Sequence, residues 1–130
     1  MELMHRNGRS IVWTGAVFEG DKFDYQYGDA PFINHKPLGE DDPAKITHAY
    51  AVGRVKDQDW PIIEVMTAEK IERHRKRINR VGTKHYSFEN WEAYSRKVPL
   101  LQVVKYLPKS VELATILALD AVADQGHKQG

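Results

Sequence analysis

Residues 46 to 54 read Ile46-Thr47-His48-Ala49-Tyr50-Ala51-Val52-Gly53-Arg54. Successive side chains of a β-strand point to opposite faces of a sheet. On a strand, every second position from 47 to 53 would carry only Thr, Ala or Gly, and the other face would carry the larger side chains. A face of small residues lets a helix or another backbone approach closely. The stretch therefore predicts a strand over 46–56 with a packed layer on its small-residue face.

Strand patterns also precede this segment. Residues 9–18 are rich in β-branched and aromatic residues, Glu19-Gly20-Asp21-Lys22 supplies a turn, and aromatic residues alternate with polar ones over 23–27. These features predict a hairpin. Residues 28–45 contain three prolines, two glycines and the acidic run Glu40-Asp41-Asp42, which predicts a long exposed loop.

A fourth strand is expected over 60–66, with Pro61 at its start or on a sheet edge. Four strands in sequence favour an antiparallel β-meander. Thr67 then resembles an N-cap, and the helix that it opens is expected to end near Asn79. Glu69 and Glu72 lie four residues before Arg73 and Lys76, a spacing that favours ion pairs.

Two further helices are expected after residue 86. Ser87 and Asn90 open the first, in which Pro99 predicts a kink or a new helix start. Ser110 would cap the second, with Leu113 among its apolar positions and an end near Val122. The predicted fold class is α+β, an antiparallel β-meander of three to four strands followed by helices packed on the sheet. Residues 1–123 would form a single domain, and 124–130 a disordered tail.

Composition limits the class of protein. A chain of 130 residues fits one domain, and 42% hydrophobic with 28% charged residues is typical of a globular protein. No apolar run approaches the roughly 20 residues that a membrane helix needs, and no signal segment opens the chain. We therefore expect a cytoplasmic location and no membrane partner. The absence of cysteine excludes disulfides, thiolate nucleophiles and Cys-based zinc sites.

Charge is unevenly distributed although the formal net charge is only +1. Residues 19–64 contain ten Asp and Glu against five Lys and Arg, whereas residues 70–109 contain eleven Lys and Arg against three Glu. Such asymmetry is typical of a protein with one basic face that meets phosphate. The alternative is a pair of solvated helices with basic faces.

Catalytic motifs are missing. The six histidines show no paired ligand spacing, and no phosphate-binding GxxxxGK loop or GxSxG nucleophile elbow occurs. The acidic run at 40–42, with Asp57, Asp59 and Glu64, could hold Mg²⁺ in a nuclease, but a solvated loop explains it better because no base follows Glu64. We therefore predict a non-enzymatic protein without metal or cofactor. Basic residues, with Tyr50, Tyr86 and Tyr106 as rings that could stack on bases, suit single-stranded nucleic acid.

Several motifs, taken in order, resemble the RecT family of single-strand annealing proteins. They are Glu19-Gly20-Asp21, His35-Lys36-Pro37, Thr47-His48-Ala49-Tyr50-Ala51-Val52, Glu64-Val65-Met66-Thr67, Lys105-Tyr106-Leu107-Pro108-Lys109-Ser110-Val111-Glu112 and Leu117-Ala118-Leu119-Asp120. The resemblance covers the second half of a typical member, so the chain is expected to be a partial copy or a fragment. It implies binding to single-stranded DNA, assembly into rings or filaments, and a basic groove that holds one strand extended.

The resemblance also suggests DNA-contacting residues. Arg96, Lys97 and Lys105 match basic positions of the family and are the first candidates. The secondary candidates are Lys36 and, on the first helix, Arg73, Lys76 and Arg77. The chain departs from the family at Leu101 and Gln102, where members usually carry two arginines, and at Gly15, where they carry one. It also has a proline at position 99 that they lack.

The sequence thus predicts ATP-independent binding and annealing of single-stranded DNA in phage-type homologous recombination. The expected partners are DNA, other copies of the chain and a partner exonuclease. The alternative is a degenerate relative that kept the fold as an oligomerisation or interaction domain. Leu100, Leu101, Val103 and Val104 favour this alternative, because a helix that is apolar all round is buried against another element or subunit. A Mg²⁺ nuclease is the third hypothesis.

Overall fold

The computed structural model describes residues 2–4 and 10–129 of the chain. The strands are β1 (Glu2–Met4), β2 (Ser10–Phe18), β3 (Lys22–Gln26), β4 (Phe32–Lys36), β5 (Ile46–Val55) and β6 (Ile62–Thr67). The helices are α1 (Ala68–Ile78), α2 (Trp91–Val104) and α3 (Lys109–Gln129). Short 3₁₀ turns occupy Pro43–Lys45, Gly82–Lys84 and Tyr86–Phe88. Strands followed by helices confirm the predicted α+β class.

The main sheet has the strand order β1-β2-β5-β6, and every neighbouring pair is antiparallel. β5 is central, and its register places Tyr50 opposite Gly15 of β2 and Val65 of β6. The strand predicted over 46–56 is therefore confirmed, as is an antiparallel sheet that precedes the helices.

The pairing of β3 was predicted wrongly. β3 pairs with β4 in a separate two-stranded sheet, called the ribbon below, and β2 pairs with β1 and β5. The predicted hairpin of residues 9–18 with 23–27 is therefore absent from the described structure. The predicted loop over 28–45 is also partly wrong, because it contains β4. Alternation identifies strands but does not identify their partners, and Pro31 and Pro37 directly flank the missed strand.

The small-residue face of β5 receives the helices, as predicted. Ala49 and Ala51 are fully buried, and a Cβ at Gly53 would lie 3.0 Å from side-chain carbons of Val103 and Leu107. Ala51 belongs to an apolar cluster that contains Leu100, Val103, Val104, Leu107, Val111 and Leu119. The absence of larger side chains on this face therefore allows α2 to pack directly on the main sheet.

The opposite face of the main sheet is covered by the ribbon. Tyr50 and Val52 of β5 pack with Val17 and Ile63 against Phe23 of β3 and Ile33 of β4. The Phe23 and Tyr50 rings stack with centroids 5.8 Å apart. The molecule thus has three layers, with the helices on one side of the main sheet and the ribbon on the other.

Local signals explain most helix ends. The Thr67 hydroxyl accepts a 3.2 Å hydrogen bond from the Lys70 amide, which confirms the predicted N-cap. α2 continues through Pro99 as one helix, so no new helix starts there. Pro99 is fully buried, and packing holds it within the helix.

The last helix differs from its predicted limits. α3 begins at Lys109, one residue before the expected cap Ser110, because the carbonyl of Pro108 accepts the amides of Val111 and Glu112. It continues to Gln129, past the expected end at Val122 and through the stretch expected as a disordered tail, which contains no proline and only one glycine before Gly130. Leu113, expected on the apolar face, is 59% exposed.

Candidate nucleic-acid interface

A groove lies between α1, α2 and the strand β6 and has a volume of about 380 Å³. Its lining, called the α1–α2 groove below, consists of Glu64, Met66, Lys70, Arg73, His74, Arg77 and Gln102. The lining therefore contains three lysine or arginine side chains and one histidine, but only one carboxylate. This balance gives the groove a positive potential that suits an anionic ligand.

Helix periodicity brings the α1 cations together. Positions i, i+3, i+4 and i+7 share one face of a helix, and Lys70, Arg73, His74 and Arg77 have this spacing. Ile71, fully buried between α1 and the main sheet, fixes the rotation of the helix and so directs this row into the groove.

The α1 cations are less neutralised than the sequence predicted. Glu72 Oε1 pairs with Arg75 Nη2 at 3.5 Å. The guanidinium carbon of Arg75 lies 4.0 Å from the centre of the Phe88 ring and 4.8 Å from that of the Trp91 ring. Among the described residues, neither Arg73 nor Lys76 has a carboxylate within ion-pair distance. Part of the α1 charge is thus paired, as expected, but through Arg75 and not through Arg73 or Lys76. Arg77 has no such partner among the described residues either, so Arg73 and Arg77 keep their charge available to a ligand.

α2 and the residue that follows it add two lysines beside the groove. The Nζ of Lys97 lies 5.3 Å from the centre of the Tyr86 ring, and its charge acts on His74 of α1. Lys105 is exposed, and its Nζ donates a 3.3 Å hydrogen bond to Oε1 of Gln102 in the groove lining. Lys97 and Lys105 thus lie next to the groove residues His74 and Gln102.

The other predicted contacts lie outside this groove. Arg96 is 27% exposed and pairs with Glu92 on its own helix at 3.2 Å. Lys76 is exposed on α1 but does not line the groove. Lys36 is exposed at the end of β4, on the ribbon, so the main sheet separates it from the helices.

The three candidate tyrosines differ in accessibility. Tyr50 is buried, and its hydroxyl lies 2.9 Å from Nδ1 of His35. Tyr86 is half-buried against Tyr94, and burial raises the pKa of Tyr86 to about 12. Tyr106 is 75% exposed and follows Lys105 directly. Of these three rings, Tyr106 is the one that a base can reach.

Three groove residues that could bind a ligand were missed as candidates, namely Lys70, His74 and Gln102. His74 was considered only as a metal ligand, and Gln102 only as a departure from the family pattern. The signal for His74 was its position between Arg73 and Arg77 on the same helix face. The signal for Gln102 was its place three residues before Lys105, one turn away on α2.

In the acidic run at 40–42, the carboxylates of Glu40 and Asp42 bind groups of their own loop. Glu40 accepts the amides of Asp41 and Asp42 and pairs with Lys45 at 3.1 Å, while Asp42 caps the turn Pro43–Lys45. Among the residues described, no group of three or more His, Asp or Glu lies close enough to hold a metal ion. The carboxylates of Glu40 and Asp42 therefore stabilise the conformation of the loop.

Comparisons with known proteins identify relatives. The chain matches a family model described as RecT family over residues 1–128. It is 33% identical over 121 residues to Protein RecT of Escherichia coli (strain K12), an alignment that covers 92% of this chain and 44% of that relative. The chain thus spans less than half the length of the curated relative. No solved structure matches it significantly. Among the described helices, none is long and apolar enough to cross a membrane.

Proposed function

This chain belongs to the RecT family, and from that premise we propose that it binds single-stranded DNA in the α1–α2 groove and anneals complementary strands. Family membership supports a role in recombination through strand annealing. The groove supports a specific location for the DNA on this chain.

The observation that carries the proposal is the meeting of cations from two helices. Arg73 and Arg77 come from α1, Lys97 comes from α2, and Lys105 directly follows α2, in a part of the chain that has a marked excess of positive charge. Phosphates are neutralised by such side chains whatever the base sequence. Tyr106 lies next to Lys105 and is free to stack on a base.

This activity needs neither ATP nor a catalytic residue. Base pairing supplies the free energy of annealing, and the protein lowers the repulsion between strands by neutralising phosphates. No acid, base or nucleophile has a role in that process, so we propose that the protein is not an enzyme and uses no cofactor or metal. Binding is then salt-sensitive and tolerant of sequence.

The family suggests the wider setting. We propose that the chain acts in the cytoplasm, in phage-type recombination, as a homo-oligomeric ring or filament. A partner exonuclease would supply the single strands. Residues 1–123 would form one domain that carries the groove.

The test is fluorescence-anisotropy binding of the purified chain to a labelled oligonucleotide across a salt series. We expect Arg73→Ala and Lys97→Ala each to weaken binding by roughly 3- to 10-fold. Each should also make the salt slope, the slope of the logarithm of the binding constant against the logarithm of the salt concentration, shallower by about 0.7, the value for one lost contact with a single strand. Lys36→Ala is the matched control, because it removes the same charge from the ribbon.

Two outcomes would contradict the proposal. The first is an absence of binding at low salt, and the second is an equal loss in Lys36→Ala and Lys97→Ala, which would place the DNA outside the groove. Adding the complementary oligonucleotide tests annealing. Faster duplex formation than without protein, without ATP, supports it, and an unchanged rate opposes it.

The second candidate function is an oligomerisation or interaction domain without DNA binding. Burial of Leu100, Val103 and Val104 within this chain removes the original reason for it. A different observation now favours it, because Leu113 and Leu117 are each 59% exposed, one turn apart on α3. Self-association in sedimentation without DNA binding would support this function over the first.

A further inference from the structure

His74 has the geometry of a ligand-binding group within the α1–α2 groove. Its Nδ1 lies 2.9 Å from the hydroxyl of Tyr94, which is itself only 2% exposed and fixed in the core. This bond orients the imidazole, and the ring lines the groove. The described residues provide no hydrogen-bond partner for its Nε2, so that atom is available to a molecule in the groove.

The surroundings of His74 are predominantly positive. α1 contributes Lys70, Arg73 and Arg77, α2 contributes Lys97 with the uncharged Tyr94 and Gln102, and β6 contributes Glu64. His85 and Tyr86 pack against Tyr94 from the preceding connection. Without a ligand, burial and then the charges of Arg77 and Lys97 lower the pKa of His74 below its ordinary value of 6.5. The histidine is thus neutral in the free protein at neutral pH.

We propose that His74 binds a DNA phosphate as an imidazolium, so that strand binding takes up a proton at this residue. The inference rests on the proposed function and adds a specific phosphate ligand to the groove. The phosphate oxygen accepts a hydrogen bond from Nε2–H, and Nδ1–H donates to the Tyr94 oxygen. The proton comes from solvent and returns to it when the strand dissociates.

The sign of the pH effect follows from this linkage. A phosphate in the groove offsets the repulsion from Arg77 and Lys97 and stabilises the charged imidazole, so the bound state has the higher pKa. Binding therefore strengthens as pH falls through the interval between the bound and the free pKa. We expect affinity to rise roughly 3- to 10-fold between about pH 7.5 and about pH 5.5.

The test is isothermal titration calorimetry of the whole chain with a thymine oligonucleotide in buffers of different ionisation enthalpy, at both pH values. The slope of binding enthalpy against buffer enthalpy gives the protons taken up. We expect a positive uptake in the wild type, its loss in His74→Gln, and no change in His48→Gln. His48 is a matched control because it lies outside the groove, half-buried beneath the ribbon, where its ring centre is 5.2 Å from that of Phe23.

The outcomes separate this inference from the proposed function. Salt-dependent binding without proton uptake, or with the same uptake in His74→Gln, would overturn the role of His74 and leave DNA binding intact. An absence of binding at both pH values would overturn the proposed function itself. Uptake lost in His74→Gln and kept in His48→Gln supports both.

Discussion

Position 102 is a place where one residue is expected to change how tightly the groove binds DNA. Gln102 lies among Arg73, Arg77 and Glu64, and it accepts a hydrogen bond from Lys105. An arginine at this position would place one more cation beside the bound phosphates. Leu101 differs, because it is partly buried against the core cluster, and a charge there would lose part of its hydration. The two departures from the family pattern therefore have different physical consequences.

We predict that Gln102→Arg strengthens binding to single-stranded DNA by roughly 3- to 10-fold at low salt and steepens the salt slope by about 0.7. The measurement is anisotropy across a salt series. Gln58→Arg, the same change in an exposed turn outside the groove, serves as the control. An equal gain in Gln58→Arg would show that only net charge matters and would contradict the prediction.

The third departure, Gly15, is explained by packing. A Cβ at Gly15 would overlap the ring of Tyr50, which lies opposite it in the register of β2 and β5. An arginine at this position therefore cannot coexist with the observed placement of Tyr50. Gly15 allows Tyr50 to reach His35, whose Nε2 lies 2.9 Å from the Asp21 carboxylate. This chain of hydrogen bonds from Asp21 through His35 to Tyr50 joins three of the motifs that resemble the family and connects the ribbon to the main sheet.

Asp21 makes that connection sensitive to acid. Burial alone would raise the pKa of Asp21, but hydrogen bonds from His35 and from the amides of Phe18 and Leu38 outweigh it and hold the pKa below 3.8. The stabilisation is therefore complete above the unfolded pKa and is lost as pH falls through the folded one. We predict that Asp21→Asn lowers the free energy of unfolding by roughly 1–3 kcal/mol near neutral pH.

Urea denaturation at several pH values checks this prediction. The difference between wild type and Asp21→Asn should begin to shrink as pH falls below about 4, where the Asp21 carboxyl of the unfolded chain is protonated, and should vanish at lower pH, where the folded protein is protonated as well. Asp24→Asn, on the exposed side of the ribbon, should leave stability nearly unchanged. A difference that stays constant down to about pH 2 would refute the role of ionised Asp21.

At the scale of elements, the contact between α2 and β5 depends on the absence of a side chain. A Cβ at Gly53 would lie 3.0 Å from Val103 Cγ1 and Leu107 Cδ2, closer than ordinary van der Waals contact. We predict that Gly53→Val destabilises the protein by about 1–3 kcal/mol, because the helix must move away from the sheet. Thermal and urea unfolding measure this, with Arg54→Val on the exposed face as control. Equal stability of both variants would argue against a tight contact.

Elements with local signals were predictable, and their non-local partners were not. Thr67 marks the start of α1, and the alternation over 46–54 marks β5 with its small face. β4 was missed because its five residues lie between two prolines and show no alternation of their own. The partner of β2 is β5, which begins almost thirty residues after β2 ends, and no local rule contains that information.

The site was predictable as a set of cations but not as a groove. The charge distribution identified the basic segment, and the resemblance selected Lys97 and Lys105. Only the packing of α1 beside α2 shows that these lysines meet Arg73 and Arg77, while Lys36 lies across the main sheet. His74 became a candidate because the Tyr94 hydroxyl orients its ring, a contact between helices that sequence spacing does not reveal.

At the scale of the whole molecule, the segments that form the ribbon and the helices have opposite net charges. The ribbon with its flanking loops, residues 19–45, has four more acidic than basic residues, and residues 68–105, which contain α1 and α2, have six more basic than acidic ones. If the chain binds DNA as proposed, we expect the strand to be attracted to the helix side and repelled from the ribbon side. On the proposed function, this difference in charge would orient the molecule on DNA before any specific contact forms.

We predict that a thymine oligonucleotide protects Lys70, Lys97 and Lys105 from chemical acetylation and leaves Lys22 and Lys36 as reactive as in the free protein. Phosphates bound as proposed would shield the amines in and beside the groove, whereas the main sheet would keep the strand away from the ribbon. Mass spectrometry of digested samples with and without DNA measures the protection of each lysine. Adding salt should remove it, since phosphate contacts weaken with ionic strength. Equal protection of the ribbon lysines would show that DNA wraps around the molecule, and the one-sided mode of binding would then be wrong.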